Sequence, residues 1–320
     1  MTTDSAFIRA TYEQLAQLGE SGLCCSPVEL YRPDELASIP EDVLRLSSGC
    51  GHPLDDVVVE PGSTVLDIGS GAGADCLLAA RRVGRNGVVI GVDPSSSMRA
   101  VASRHAEEVG LGWIDYREGT ADDLPCADDS VDLAISNCVL SLSADPAATW
   151  TEIARVLAPG GRVAMSDIIG GTDPGLDAKA RCETGLEWSQ YRDLLRANGF
   201  SGIRPIRIRR ARFRDGARAA SVTFHARHGM PIGHADVQVL YRQSHRAEAE
   251  RLVIGLGELV SAHRLPLGIR LADIDEPDHT AVARLVLDAA GLPFTTPLAV
   301  SVDAAVVPAD DLTDVLVPGR

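Results

Sequence analysis

From about residue 61 onward, apolar runs of strand length alternate with longer stretches whose apolar positions recur at helical spacing. "STVLDIGSG" reads as a buried strand running into glycines, and "ADCLLAARRVG" as the helix that follows. "GVVIGVDP" and "SSSMRAVASRHAEEVG" repeat the unit, with a serine available to cap the second helix. "WIDYREGTADDLP" and "SVDLAISNCV" supply a third and a fourth strand. "PAATWTEIARVLAPGG" is expected to be a helix closed by Pro-Gly-Gly, with "RVAMSDII" as the fifth strand. A further helix, "WSQYRDLLRANGF", stops at Asn-Gly, and "IRPIRIRRARF" and "AASVTFHARHG" are expected to pair antiparallel at a sheet edge. Strands alternating with helices imply an α/β fold with a parallel sheet covered on both faces.

Two flanking regions differ from this pattern. Residues 1–60 read as a helical arm broken by turns, ahead of the alternating domain at 61–230. A second alternation occupies 235–320: strand "DVQVLYRQ", helix "HRAEAERLVIGLGELVSAH", strand "LGIRLADID", helix "DHTAVARLVLDAAG", then a hairpin in "TTPLAVSVDAAVV" turning at Asp303-Ala304. This βαβα-ββα order resembles a thioredoxin-like domain. Such a domain carries C-x-x-C after its first strand; "YRQSHRAE" stands there and has no cysteine, so its redox chemistry is not expected.

Composition narrows the function. The 320 residues carry a formal net charge of −15, which argues against nucleic acid and anionic membrane surfaces as partners. Six arginines at 204, 207, 209, 210, 212 and 214 are expected to form a solvated strand face rather than a polyanion site. Neither a secretory leader nor an apolar run long enough to span a membrane is seen, so a cytoplasmic setting with reduced thiols is expected.

The glycine-rich loop points to a nucleoside ligand. Gly69, Gly71 and Gly73 stand at alternate positions after the first strand, a spacing that departs from G-x-G-x-x-G. Asp67 precedes them; Asp93 ends the second strand, where a carboxylate accepts ribose hydroxyls; Asp122 follows the third strand, in reach of an adenine amino group. The bland alternative is that Asp67 and Asp93 cap turns. Together these residues resemble the nucleoside half of the S-adenosylmethionine site in class I methyltransferases, with a nicotinamide enzyme as the rival.

Seven cysteines, at 24, 25, 50, 76, 126, 138 and 182, include no C-x-x-C pair, which disfavours a zinc ribbon. Cys76 reads as a small buried hydrophobe on a helix face, and Cys126 as an unassigned loop thiol. Cys50, Cys138 and Cys182 lie in polar or glycine-rich settings: "SSGCGHP", "SNCVLS" and "ARCETG".

The ordered run "CCSPVELYRPDELASIP", "GCGHP", "TVLDIGSGAGADC", "VIGVDPSSSM" and "ISNCVLSLS" resembles the arsenite S-adenosylmethionine methyltransferases over roughly residues 10–200. That resemblance implies a Rossmann-like sheet, S-adenosylmethionine as methyl donor, and As(III) held by Cys50, Cys138 and Cys182. It also implies a redox role for Cys24 or Cys25 and recycling by an external thiol reductant of glutathione, mycothiol or thioredoxin type, with a thiol reductase as partner. The substrate implied is arsenite or methylarsenite. The chain departs from the family at His52, where the family has asparagine, and around Cys182. The C-terminal domain that family members carry is not recognisable after about residue 230.

Soft trivalent arsenic prefers thiolates to oxygen ligands. Its lone pair attacks a sulfonium methyl without needing a base. Two other functions share part of this pattern. A small-molecule methyltransferase acting on a quinone-like or sterol-like acceptor would use the nucleoside site and need a base, with His52 and His105 as candidates. A non-enzymatic metalloid binder would use the thiols and need no donor.

Overall fold

The computed structural model describes residues 3–18, 30–55, 57–170, 186–210, 220–229, 236–241, 244, 246–247, 268–273, 298–302 and 305–308. The described residues of the arm include α1 (Thr3–Leu18), α2 (Pro33–Leu36) and α3 (Glu41–Leu46). Then come β1 (Thr64–Ile68), α4 (Ala74–Val83), β2 (Val88–Val92), α5 (Ser96–Glu108), β3 (Asp115–Arg117) and β4 (Val131–Asn137). They are followed by α6 (Pro146–Val156), β5 (Leu157–Ile169), α7 (Trp188–Ala197), β6 (Phe200–Arg210) and β7 (Ala220–His228).

Local chemistry explains the boundaries. Ser95 caps α5 by accepting from the Met98 amide, and Asp145 caps α6 by accepting from the Ala148 amide, ahead of Pro146. α7 ends at Asn198-Gly199, with Gly199 in the left-handed region (φ +77°). One expectation needs correction: Pro-Gly-Gly does not close α6. The helix ends at Val156, and the strand begins at once with Leu157, which pairs with Val131. A register shift between Val131 and Leu133 absorbs the extra residues as a bulge before Arg162 resumes the ladder.

These strands form one seven-stranded sheet in the order β3-β2-β1-β4-β5-β7-β6. β3, β2, β1, β4 and β5 run parallel; β7 is antiparallel to both β5 and β6. The chain therefore starts in the middle, winds one way and then the other, and the order reverses between β1 and β4. Ligands of open α/β sheets bind at such a reversal, beyond the carboxyl ends of the strands. In this sheet the ends coincide in register, with Ile68 opposite Ser136 and Asn137 opposite Ser166. The loops after β1 and β4 thus share one edge.

A second sheet contains β8 (Asp236–Tyr241), β9 (Gly268–Asp273), β10 (Leu298–Val302) and β11 (Ala305–Pro308). Its order is β11-β10-β8-β9, with β8 and β9 parallel and the last two strands antiparallel. The sheet thus combines a parallel pair with a hairpin. The helices expected between the strands lie outside the described residues.

Apolar side chains cover both faces of the large sheet. On one face Trp150 of α6 packs edge-on against Tyr191 and Phe200, and Phe224 lies among Trp188, Tyr191 and Trp150. All of these rings are buried. Trp150→Ala should cost about 3–5 kcal/mol of stability, seen as a lowered denaturation midpoint in urea; an unchanged midpoint would show that this aromatic cluster does not hold α6 to the sheet.

Candidate active site

The turn after β1 is built by glycines. The amides of Gly69 and Ser70 both donate to the Val92 carbonyl, at 2.8 and 3.0 Å, folding the loop back over β2. Gly69 adopts φ +72°, and a Cβ there would collide with Val139 in the loop after β4, so the two loops meet only because the side chain is absent. Gly71 is also left-handed (φ +50°), but a Cβ at this position would meet nothing within 4 Å. Its open side faces a cavity lined by Asp67, Gly69, Gly71, Asp93, Asp122 and Cys138. Gly73, the third of the set, is the left-handed N-cap of α4.

The acidic residues have distinct surroundings. Asp93 accepts from the Gly71 amide through Oδ2 and from the Ser95 amide through Oδ1, each at 2.9 Å. It therefore holds the glycine loop, the turn-capping role expected of it, and lines the cavity at once. Burial raises its pKa, opposed by those two amides. Asp67 is deeper: burial, then the neighbouring Asp75 carboxylate, push its pKa well above the usual range, while the Cys76 thiol donates to it at 3.2 Å. Cys76 is buried on α4, as expected of a structural thiol. Asp122 is exposed at the cavity rim, beside the bridge between Thr120 and Asp123.

Helix α1 supplies one wall through Arg9 and Tyr12. Its Glu13 accepts from the Ser95, Ser96 and Ser97 hydroxyls at 2.6, 2.9 and 2.6 Å, at the N-terminus of α5, where a negative charge is favoured. The Ser95 and Ser97 hydrogen bonds chiefly hold its pKa down, to about 2 from 4.5.

Cys138 follows β4 with φ +64°, a left-handed conformation uncommon for a residue with a side chain. Its amide donates 2.7 Å to the Ser166 carbonyl, which keeps the turn against β5. Cys50 arrives from the arm. The amides of Cys50 and Gly51 both donate to Asn137 Oδ1, at 2.9 and 3.1 Å, and Asn137 Nδ2 donates to the Gly51 carbonyl and to Asp75. On the far side, the Cys50 carbonyl accepts from the Ser221 hydroxyl of β7. Cys50, Cys138 and Asp167 each bring one donor atom to within 4.8 Å of the others, and all three are buried. Cys24, Cys25 and Cys182 lie outside the described residues.

His52 is not a base at this cavity. Its Nε2 sits 2.9 Å from Glu35, which Arg82 and Arg32 also contact, and its ring packs edge-on against Tyr31. The residue that departs from the family pattern thus pins the Cys50 loop to α2. His105 pairs with Glu108 on α5 and does not line the cavity. Cys126 is buried, and the Arg117 guanidinium lies 3.9 Å from its sulfur. Of the six strand-face arginines, only Arg207 has a described side chain; it pairs with Asp55.

Sequence reasoning overlooked Asn137, Asp167, Asp75 and Glu35. Asn137 and Asp167 carried a signal, a polar residue in or at the end of an apolar run. Glu35 carried none.

Two outcomes are expected. Removing the Asn137 amide leaves two backbone donors without their acceptor, so Asn137→Ala should cost about 2 kcal/mol and slow the bridging of Cys50 to Cys138 by a short dithiol-crosslinking reagent, read by peptide mass mapping. Unchanged bridging would remove Asn137 as the tie. Glu13 has a depressed folded pKa, so its contribution is present above pH 4.5 and is lost as pH falls towards about 2. The stability gap between the native protein and Glu13→Ala should therefore close on acidification; a gap constant over that window contradicts the assignment.

Comparison with known proteins agrees with this geometry. Residues 59–197 match the methyltransferase-domain family. The arsenite methyltransferase of Halobacterium salinarum is 41% identical over 158 residues, which is 47% of this chain and 40% of that protein. The arsenite methyltransferase of Aquipseudomonas alcaligenes is 34% identical over 203 residues, 58% of each chain. The chain thus spans between 40% and 58% of the length of these two relatives. Among solved structures, CrArsM, an arsenic(III) S-adenosylmethionine methyltransferase from Chlamydomonas reinhardtii, superposes with a TM-score of 0.55 at 29% identity, covering 65% of this chain and 79% of that one. The open side of Gly71 and the Asp93 carboxylate beside it suit a donor nucleoside. Residues 59–197 thus match a methyltransferase domain, on the sheet of a class I methyltransferase, and over that stretch the chain is similar to arsenite methyltransferases.

Proposed function

We propose that this chain transfers a methyl group from S-adenosylmethionine to trivalent arsenic held by cysteine thiolates. The observation that carries the reading is that Cys50 and Cys138, from segments far apart in sequence, converge beside the nucleoside cavity, and that Cys138 lines that cavity itself. In this reading Asp93 takes the ribose hydroxyls, Asp122 the adenine edge and the Gly69–Gly73 loop the close backbone approach. Cys50, Cys138 and Cys182 hold arsenite or methylarsenite.

When bound, the donor supplies an electrophilic methyl group on a positively charged sulfur. The thiolates hold arsenic with its lone pair directed at that methyl. A lone pair bears no proton, so no base is required, which is consistent with both histidines being occupied elsewhere. Positioning is then the main catalytic contribution, and such orientation is worth roughly 7–11 kcal/mol in well-aligned systems. The protein contributes burial, the strained turn that aims Cys138, and the Asn137 tie that brings Cys50 to it.

As the As–C bond forms, the donor sulfur keeps the electrons of its broken C–S bond and arsenic is oxidised by two electrons. Two thiols closing to a disulfide, Cys50 with Cys24 or Cys25, return those electrons. An external thiol reductant of glutathione, mycothiol or thioredoxin type, with or without a dedicated reductase, then reopens the disulfide by exchange. The organisation proposed is an arm at 1–60 carrying the redox thiols, a catalytic domain at 61–230, and a thioredoxin-like domain at 235–320 that contributes no redox cysteine. Among the described residues no helix is long and apolar enough to cross a membrane; a cytoplasmic, reducing setting suits the thiols.

The test combines the protein with labelled S-adenosylmethionine, arsenite and a thiol reductant. Methylated arsenic is the expected product; tight arsenite binding without turnover would instead indicate a binding protein. Cys138→Ser should abolish methyl transfer and leave donor affinity, measured calorimetrically, intact. Retained turnover would exclude Cys138 from the site.

A further inference from the structure

We infer that Cys50, Cys138 and Asp167 also form a binding site for a borderline-soft divalent cation, zinc or cadmium, which excludes trivalent arsenic from the same two thiols. The donor atoms of the three side chains already lie within 4.8 Å of one another. Around a tetrahedral zinc ion, with bonds of about 2.3 Å to sulfur and about 2.0–2.2 Å to oxygen, ligand atoms stand roughly 3.5–3.8 Å apart. Closing the triad on such an ion takes a movement that side-chain rotation supplies.

The donor set distinguishes the two occupants. Trivalent arsenic is satisfied by thiolates and has no need of a carboxylate. A zinc or cadmium ion accepts both sulfur and oxygen ligands, and a carboxylate adds negative charge opposite its two positive charges. Asp167 is fully buried, and among the described residues no Arg, Lys or His forms an ion pair with it. Its oxygens are held by the Ser141 amide at 2.8 Å, the Ile168 amide at 2.8 Å and the Tyr191 hydroxyl at 2.6 Å. Ligating carboxylates are oriented by hydrogen bonds of this kind. Cys138 lines the cavity, which gives an ion a route in from solvent and leaves a fourth coordination position for water. The inference shares its thiols with the arsenic reading but requires no methyl transfer.

The experiment uses the full-length reduced protein, titrated separately with Co(II), Zn(II) and arsenite. Cobalt should develop the near-ultraviolet absorption of a thiolate–cobalt bond, zinc should abolish it, and zinc should raise the apparent dissociation constant for arsenite. Cys138→Ser should lose the cobalt band. Asp167→Asn should weaken zinc binding by at least about tenfold while leaving arsenite affinity little changed. Tyr191→Phe, which removes the hydroxyl that orients the carboxylate, should weaken zinc by about tenfold and decides the matter if the Asp167 variant fails to fold. No cobalt band, or zinc affinity unchanged in these variants, overturns the inference. Zinc binding without arsenite binding would sink the arsenic reading alone, and arsenite binding without zinc binding would sink this one alone.

Discussion

The side-chain amide of Asn137 is the interaction on which the site depends. It stands at the last position of β4, one residue before Cys138, and makes four hydrogen bonds: two from the amides of Cys50 and Gly51, one to the Gly51 carbonyl and one to Asp75. An asparagine suits this place because one side chain supplies both an acceptor and two donors. Gly49, just before Cys50, has no side chain, and a Cβ there would run into the same amide. The arm is thereby docked on the strand end that carries the second thiol, and the spacing of two sulfurs follows from backbone hydrogen bonds rather than from the sulfurs themselves.

Around this tie the polar interior is layered. Below it, Asp75 accepts from Tyr31 and Asn137, and Asp67 accepts from Cys76. To one side, the buried pair Glu35 and His52, with Arg82 and the exposed Arg32 on Glu35, forms a charge network that anchors the segment just after Cys50. To the other, Asp167 is held by Tyr191 and Ser141. Buried polar groups must find partners, and one left unmade costs more than one made gains. These networks therefore specify one docking of the arm where apolar contacts alone would allow the loop to shift. The same economy appears at Asp93, whose carboxylate shapes the glycine loop with one set of lone pairs and lines the cavity with the rest.

Much of the architecture was legible in the chain. Strands and helices of the large sheet follow from runs and periodicities, with Ser95 and Asn198-Gly199 at the helix ends where the sequence places them. The one misreading, the Pro-Gly-Gly taken for a helix stop, arose because a bulged strand start and a turn use the same residues. Asp93, Gly69, Gly71 and Cys138 were legible for a simple reason: each sits at a strand end, and strand ends on a parallel sheet share an edge. The pairing of β8 with β9 and of β10 with β11 was likewise implicit in the element order.

What the sequence determined by itself is the set of elements, the edge on which their loops gather and the residue types offered there. Periodicity and turn chemistry are local, and a right-handed parallel sheet leaves few alternatives. Only the tertiary structure decided which offered groups touch: that Asn137 rather than a cysteine ties the arm to β4, that His52 faces Glu35 and not the cavity, and that Asp167 stands beside the two thiols. Those contacts join segments 17 to 117 positions apart in the chain. Their geometry depends on register, on the bulge in β5 and on the left-handed turn at Cys138, none of which leaves a periodic mark on the residues that make them.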